Sequence, residues 1–210
     1  MLAATVCTLL AVILGSQMLS ASSDHLRGAR RDAFDSVVAL SCARAIAYDA
    51  NADGSRYLLD PEHRDQYAQA FLDKSQELYG MKGATLATYD DDLDRTRQAY
   101  RRNRNDLRFT GECRRELANI TFPGERAAAE KTVETYAVYQ RDDRWTRAMV
   151  AQGKEQAAVG FCISWDPDMS NAHFGAYMDA LGKLIVINRD HFALSVRTGR
   201  STLTDLLPWS

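Results

Sequence analysis

The sequence is poor in the residues that interrupt helices and lacks the motifs that mark catalysis. Only 4 prolines occur in 210 residues, and no stretch alternates apolar and polar side chains long enough to read as a strand, so no sheet is expected. Its 26 basic and 28 acidic side chains leave a net charge of -2, which gives nucleic acid or an anionic surface no purchase. There is no G-x-S-x-G elbow, phosphate loop or H-E-x-x-H pair. The Glu-x-x-His pairs that build di-iron sites in helical bundles are missing too. The four histidines, His25, His63, His173 and His191, are scattered, and none stands at zinc spacing from a cysteine. They read as polar residues at bundle edges. The expectation is no enzyme, no metal and no cofactor.

Long apolar runs are also scarce, with one exception. Residues 1–20, MLAATVCTLLAVILGSQMLS, carry no charge and at about 1.5 Å per residue are long enough to cross a bilayer. Residues 1–22 are therefore expected to be a membrane anchor. The small residues Ala-Ser-Ser that follow leave a cleaved signal segment as the alternative. Arg27, Arg30 and Arg31 lie beyond the segment, and no basic residue precedes it. Read alone, that asymmetry would put the remainder in the cytoplasm, so a basic leader is expected to be missing from the start of the chain.

What is abundant is helical periodicity. Phe34, Val37, Val38, Ser41, Ala45 and Tyr48 make an apolar stripe that predicts a first helix ending near Tyr48. Asp60-Pro61 is an N-cap followed by the residue favoured at the first helical position, so a second helix should start at Pro61. It should present Tyr67, Phe71 and Leu78 to the core and stop at Gly80 or Gly83. Residues 84–104 predict a polar third helix with Asp91–Arg95 and Asp94–Arg97 pairs. Pro123 opens a long helix with Val133, Tyr136, Ala137 and Gln140 on one side. Asp166-Pro167 repeats the cap-plus-proline pattern before a last helix at 169–197, whose inner side would carry Ala176, Tyr177, Ala180, Leu181, Leu184, Asn188, His191 and Ser195. The fold class is thus all-α, an N-terminal membrane helix followed by an antiparallel four-helix-type bundle over residues 24–200. Cys42 should be a small buried residue. Cys113 and Cys162 fall near predicted element ends and are the preferred disulfide, with three unpaired thiols as the alternative.

Residues 49–60, DANADGSRYLLD, match the spacing of a calcium-binding EF-hand loop, with Asp49, Asn51 and Asp53 as oxygen donors, Gly54 at the turn and Asp60 closing. Several details oppose it. Pro61 pushes Asp60 away from helical dihedrals, whereas the closing ligand belongs to the exiting helix. Arg56 stands where an apolar residue is usual, and no second loop pairs with this one. The stretch reads better as a helix end, a polar corner and a cap.

Three segments carry a family likeness: FDSVVALSCARAIAYDANADGSRYLLDPEHRDQYAQAFLDKSQEL, ITFPGERAAAEKTVETYAVYQRDD and SNAHFGAYMDALGKLIVINRDHF. Together they cover most of residues 34–196. The chain resembles actinobacterial membrane proteins with an extracytoplasmic helical sensor domain held between two membrane helices. These are similar to the membrane component of a glutamine-sensing system that includes an amino-acid-binding lipoprotein and a serine/threonine kinase. The resemblance implies a membrane-anchored sensor or signal relay lying outside the cytoplasm, with that lipoprotein and a kinase-linked protein as partners. Residues 201–210 stand where relatives enter their second membrane helix. On this reading the recognition surface is the corner bearing Asp49, Asn51, Asp53, Arg56, Tyr57 and Asp60, with a capped, solvated turn as the plain alternative. The alternative functions are an exported calcium-binding module and a structural envelope protein.

Overall fold

The computed structural model describes residues 33–205, with side chains through residue 197. The expected anchor at 1–22 lies outside the described residues. Among the described residues every regular element is helical, and none is long and apolar enough to cross a membrane. The chain forms a helical bundle of α1 (33–59), α2 (Arg64–Leu78), α3 (Tyr89–Arg102), α4 (Glu112–Ala118), α5 (Glu125–Ala151), α6 (Glu155–Ile163) and α7 (Ser170–Asp205). α7 thus runs five residues past the expected end of the bundle at 200.

α1 differs from its prediction in length and in orientation. It does not stop near Tyr48 but continues to residue 59, so the polar corner expected at 49–60 is mostly helix. Local polar residues did not end it; Pro61 did. Asp60, held by the following proline at φ -126° and ψ 86°, leaves the helical region, yet its N–H still reaches Arg56 O at 2.9 Å. The carboxylate of Asp60 stands at the cap position but bonds His63 Nδ1 (2.9 Å) and the Tyr67 hydroxyl (3.2 Å) rather than backbone. Pro61–His63 form a 3-10 turn before α2.

The predicted apolar stripe of α1 points outward. Phe34, Val38, Ser41, Ala45 and Tyr48 are exposed, as is Cys42, whereas Ser36, Leu40, Ala43, Ala47, Ala50 and Asp53 are buried. The reason is steric. The inner face lies among α2, α5 and α7 and admits mainly alanine-sized side chains.

α5 and α7 form the centre, packed antiparallel. Tyr136 meets Tyr177 and Tyr139 meets Phe174, each with ring centroids 5.1 Å apart, and Phe71 of α2 closes on Tyr139 at 6.1 Å. Fully burying each such ring contributes roughly 2–3 kcal/mol. The predicted inner face of α5, Val133, Tyr136, Ala137 and Gln140, is buried as expected. In α7, Tyr177, Ala180, Leu181, Leu184 and Asn188 are buried, but Ala176 is exposed. Asp166-Pro167 forms a turn ahead of that helix, closed by Met169 N–H to Asp166 O at 2.9 Å, and the Asp166 carboxylate accepts from Ser164 Oγ at 3.0 Å. α3 is shorter than predicted because residues 84–88 turn on the hydroxyls of Thr85 and Thr88. Its pairs are Asp92–Arg95 and Asp94–Arg97 (2.8 Å) rather than Asp91–Arg95.

These pairings give the bundle two poles. Phe34 packs on Phe192 with centroids 6.0 Å apart, and Phe122 stacks on His191 at 4.2 Å. The described start of α1 therefore lies level with the second half of α7, at a pole that also holds α4. Tyr48 meets Phe174 at 5.5 Å, so the end of α1, the start of α2, the end of α5, α6 and the start of α7 gather at the opposite, distal pole.

Candidate recognition site at the distal pole

The six residues singled out in the sequence all lie at or near the distal pole, but α1 points them to different sides. Asp49, Asp53 and Arg56 recur at helical spacing on the side facing α2. Asp53 is buried, with Lys74 and Arg56 (2.5 Å) on its carboxylate. Lys74 also reaches the half-exposed Asp49 at 2.7 Å. Two carboxylates thus balance two cations. Burial disfavours the Lys74 ammonium, but the hydrogen bonds it donates to both aspartates outweigh it and raise its pKa. The hydrogen bond from Lys74 likewise holds Asp49 below the ordinary carboxylate range.

The cluster is a clamp between α1 and α2, and it predicts a stability effect. Lys74→Met should destabilise the protein by roughly 2 kcal/mol, less than for a fully orphaned buried charge because Arg56 stays on Asp53. Urea denaturation at pH 7 measures it. A loss under about 0.5 kcal/mol would show that Arg56 alone compensates Asp53.

Asn51 faces the other way. Its Oδ1 accepts the Tyr139 hydroxyl at 3.0 Å, and it lines a cleft of about 170 Å³ with Ser55, Asp143, Thr146, Cys162 and Ser170. The floor of this cleft is a network spanning 58 positions of sequence. Arg147 Nη1 pairs with Asp143 at 2.7 Å, and its Nη2 donates to the Tyr89 hydroxyl at 2.9 Å. The Tyr89 hydroxyl in turn bonds Asp143 and lies 3.0 Å from Gln140 O. Burial raises the pKa of Asp143 despite Arg147 and Tyr89. Asp142 next to it is raised by burial as well, against a 2.8 Å contact with His173.

Tyr57 and Asp60 take a third side. Arg64 stands 5.8 Å from the Tyr57 ring centroid, donates from Nε to Tyr57 O at 3.2 Å, and reaches Glu155 Oε1 at 2.8 Å. It thereby ties the end of α1 and the start of α2 to α6. The corner is not one cluster but the junction of three local arrangements. The calcium reading fails on backbone geometry, because residues 49–59 are helical and cannot wrap their side chains round one ion.

The disulfide expectation is corrected too. Cys113 and Cys162 are free thiols. Cys113 sits among Leu40, Ala129, Val133, Tyr177, Leu181 and Leu184 towards the other pole, while Cys162 contacts Thr146 Oγ1 at 3.3 Å beside the distal cleft. Burial pushes the Cys113 thiol up to about 12 and raises Cys162 as well, so neither is poised as a nucleophile.

The sequence reading missed the distal surface formed by α6 and the α6–α7 turn. Ile163, Trp165 and Trp145 are 67%, 70% and 60% exposed there. Trp165 lies over α7 at Gly175, where a Cβ would come within 2.9 Å of the indole. An absent side chain thus seats an exposed tryptophan. No sequence period flags that arrangement, because Trp165 stands in a turn.

No protein-family model, curated protein or solved structure matches the chain.

Proposed function

We infer that this chain is a membrane-anchored, extracytoplasmic sensor or relay domain that contacts a partner protein through its distal pole and performs no catalysis. Its architecture on this reading is a membrane helix at 1–22 leading into a four-helix-type bundle whose long members are α1, α2, α5 and α7. The observation that carries the reading is the exposure of Trp145, Ile163 and Trp165 at one pole, while the described start of α1, the end nearer in sequence to the apolar run 1–20, lies at the other. Tryptophan is enriched among the residues that dominate protein interfaces. α1, α5 and α7 connect the poles, so a shift at one end is carried by continuous packed helices when the bundle has two packings.

The resemblance supplies the partner class, an amino-acid-binding lipoprotein with a kinase-linked protein downstream. The calcium-module alternative has lost the loop on which it rested. A structural envelope protein would need no specific partner at the distal pole.

Trp165→Ala in the full chain tests the proposal. Trp165 is mostly exposed, so this change should leave the thermal midpoint within about 2 °C of the parent. It should reduce recovery of a co-purifying partner from native membranes at least tenfold, the scale of a lost hot spot. Unchanged recovery would remove the distal pole from recognition.

A further inference from the structure

α1 carries two apolar seams on opposite sides. The inner one builds the core. The outer one runs Phe34, Val38, Ser41, Ala45 and Tyr48, and continues through Ala52 and Ser55 to Leu59. Its spacings are alternately four and three residues along the entire series, the heptad pattern of a coiled-coil contact. Phe34 and Tyr48 are each just over half exposed, at 52% and 53%, and Leu59 is 78% exposed. Between Asp35 and Asp49 the helix bears one charge, Arg44, although 26% of the chain is charged. A solvated helix face would carry charges there instead. The seam spans about 37 Å at the usual helical rise.

We propose that this seam is where a second copy of the chain docks, α1 against α1 in parallel. Two observations select that occupant. A four-three seam is self-complementary, because each knob fits a hole made by the same residues of an identical helix. The flanking charges then fix direction. With Val38, Ala45 and Ala52 at a and Ser41 and Tyr48 at d, Arg44 falls at g and Asp49 at e. In a parallel pair, g of one helix faces the e residue five positions later on the other, so Arg44 meets Asp49 of the second copy, twice by symmetry. In an antiparallel pair g faces g, and Val37 and Asn51 offer Arg44 no carboxylate. Arg44 is exposed and has no ion-pair partner among the described residues, while Asp49 is half exposed beside Lys74. Ser41, Ala45 and Ala52 allow a close approach, and Phe34 and Tyr48 are held in place by their ring contacts with Phe192 and Phe174.

The experiment uses the full chain in its membrane, with Cys7→Ala and Cys42→Ser to clear background thiols. Ser41→Cys and Ala45→Cys, which face their counterparts across the seam, should form disulfide-linked dimers at least tenfold faster under mild oxidation than Gln98→Cys on α3. Adding Ala45→Glu to Ser41→Cys should suppress that crosslinking at least tenfold while leaving helix content unchanged, since residue 45 is exposed. Equal rates at Ser41→Cys and Gln98→Cys would overturn the proposal. So would crosslinking that survives Ala45→Glu, which would assign proximity to the membrane segment alone. Coupling of the seam cysteines to a different protein would overturn it as well.

Discussion

Raising the pH from 5 to 8 is expected to remove roughly 2–3 kcal/mol of stability through one side chain, Glu116, and Glu116→Gln should abolish that loss. Glu116 and Glu125 are both buried, at the pole opposite the cleft, where α4 meets α1, α5 and α7. The partners of Glu116 are neutral, with Asn188 Nδ2 donating to Oε1 at 3.1 Å and Ser36 also hydrogen-bonded to it. Glu125 accepts the backbone N–H groups of Thr121 (2.6 Å) and Phe122 (2.9 Å) on Oε2. Glu116 Oε2 and Glu125 Oε1 have no other donor. A single proton on Glu116 directed at Glu125 satisfies both, much as in a carboxyl dyad.

Burial above all, with the Glu125 charge adding to it, lifts the Glu116 pKa from 4.5 to about 7. The folded state therefore holds a proton that the unfolded chain releases above about 4.5. The stabilisation is fully present below that pH and is lost as pH rises through about 7. Asp142 and Asp143, also raised by burial, act in the same direction, so the informative quantity is the difference between parent and variant. Glutamine keeps the shape and donates from its amide to Glu125. Urea titrations at pH 5 and 8 should give parent and Glu116→Gln similar stability at pH 5, with the variant ahead at pH 8. Identical pH slopes in the two proteins would contradict the shared proton.

The second large effect is expected at Gly111. Its φ of +89° with ψ of -174° is a region open essentially to glycine alone. A Cβ there would also lie 2.4 Å from Glu77 O and 2.8 Å from Leu78 O, both rigid backbone. The close approach exists because Gly80 and Thr110 exchange backbone hydrogen bonds of 3.0 and 2.8 Å. That bridge sets α4 against the end of α2. Gly111→Ala should therefore cost roughly 3–5 kcal/mol, lowering the thermal midpoint by about 10 °C. Gly83→Ala is the control, since Gly83 has φ +79° but open space around it, and it should cost about 1 kcal/mol. Equal losses at both sites would attribute the Gly111 effect to dihedral strain alone.

The parts of the structure that depend on near neighbours in sequence were legible beforehand. The inner face of α5 follows from its own periodicity, and Pro61 and Pro123 mark real helix boundaries within a few residues. α1 was misjudged because its sequence holds two apolar stripes of equal regularity. Which one faces inward depends on how closely α2, α5 and α7 approach, and a single helix does not encode that. The stretch 49–59 has poor helix formers, yet it stays helical because Asp53 is clamped by Lys74 and Asn51 by Tyr139, partners 21 and 88 positions away. The floor of the distal cleft was invisible for the same reason, since Tyr89 and Asp143 lie 54 positions apart. Trp165 could be flagged only as a tryptophan two residues before a proline in a polar turn. Its position over Gly175 appears only after the chain has folded.

A consistent division of labour emerges from these placements. The pole holding Glu116 and Glu125 joins four elements around two buried carboxyl groups, and the distal pole presents tryptophans and a polar cleft. Long helices connect the two. The proposed recognition of another protein by the distal pole is tested most directly by residue-resolved photo-crosslinking in intact cells. A benzophenone amino acid at Trp165 or Ile163 of the full chain should give one discrete adduct with a different protein, while the same probe at Gln98 on α3 should give none. Adducts of equal yield at Gln98 and Trp165, or none at either distal position, would contradict it.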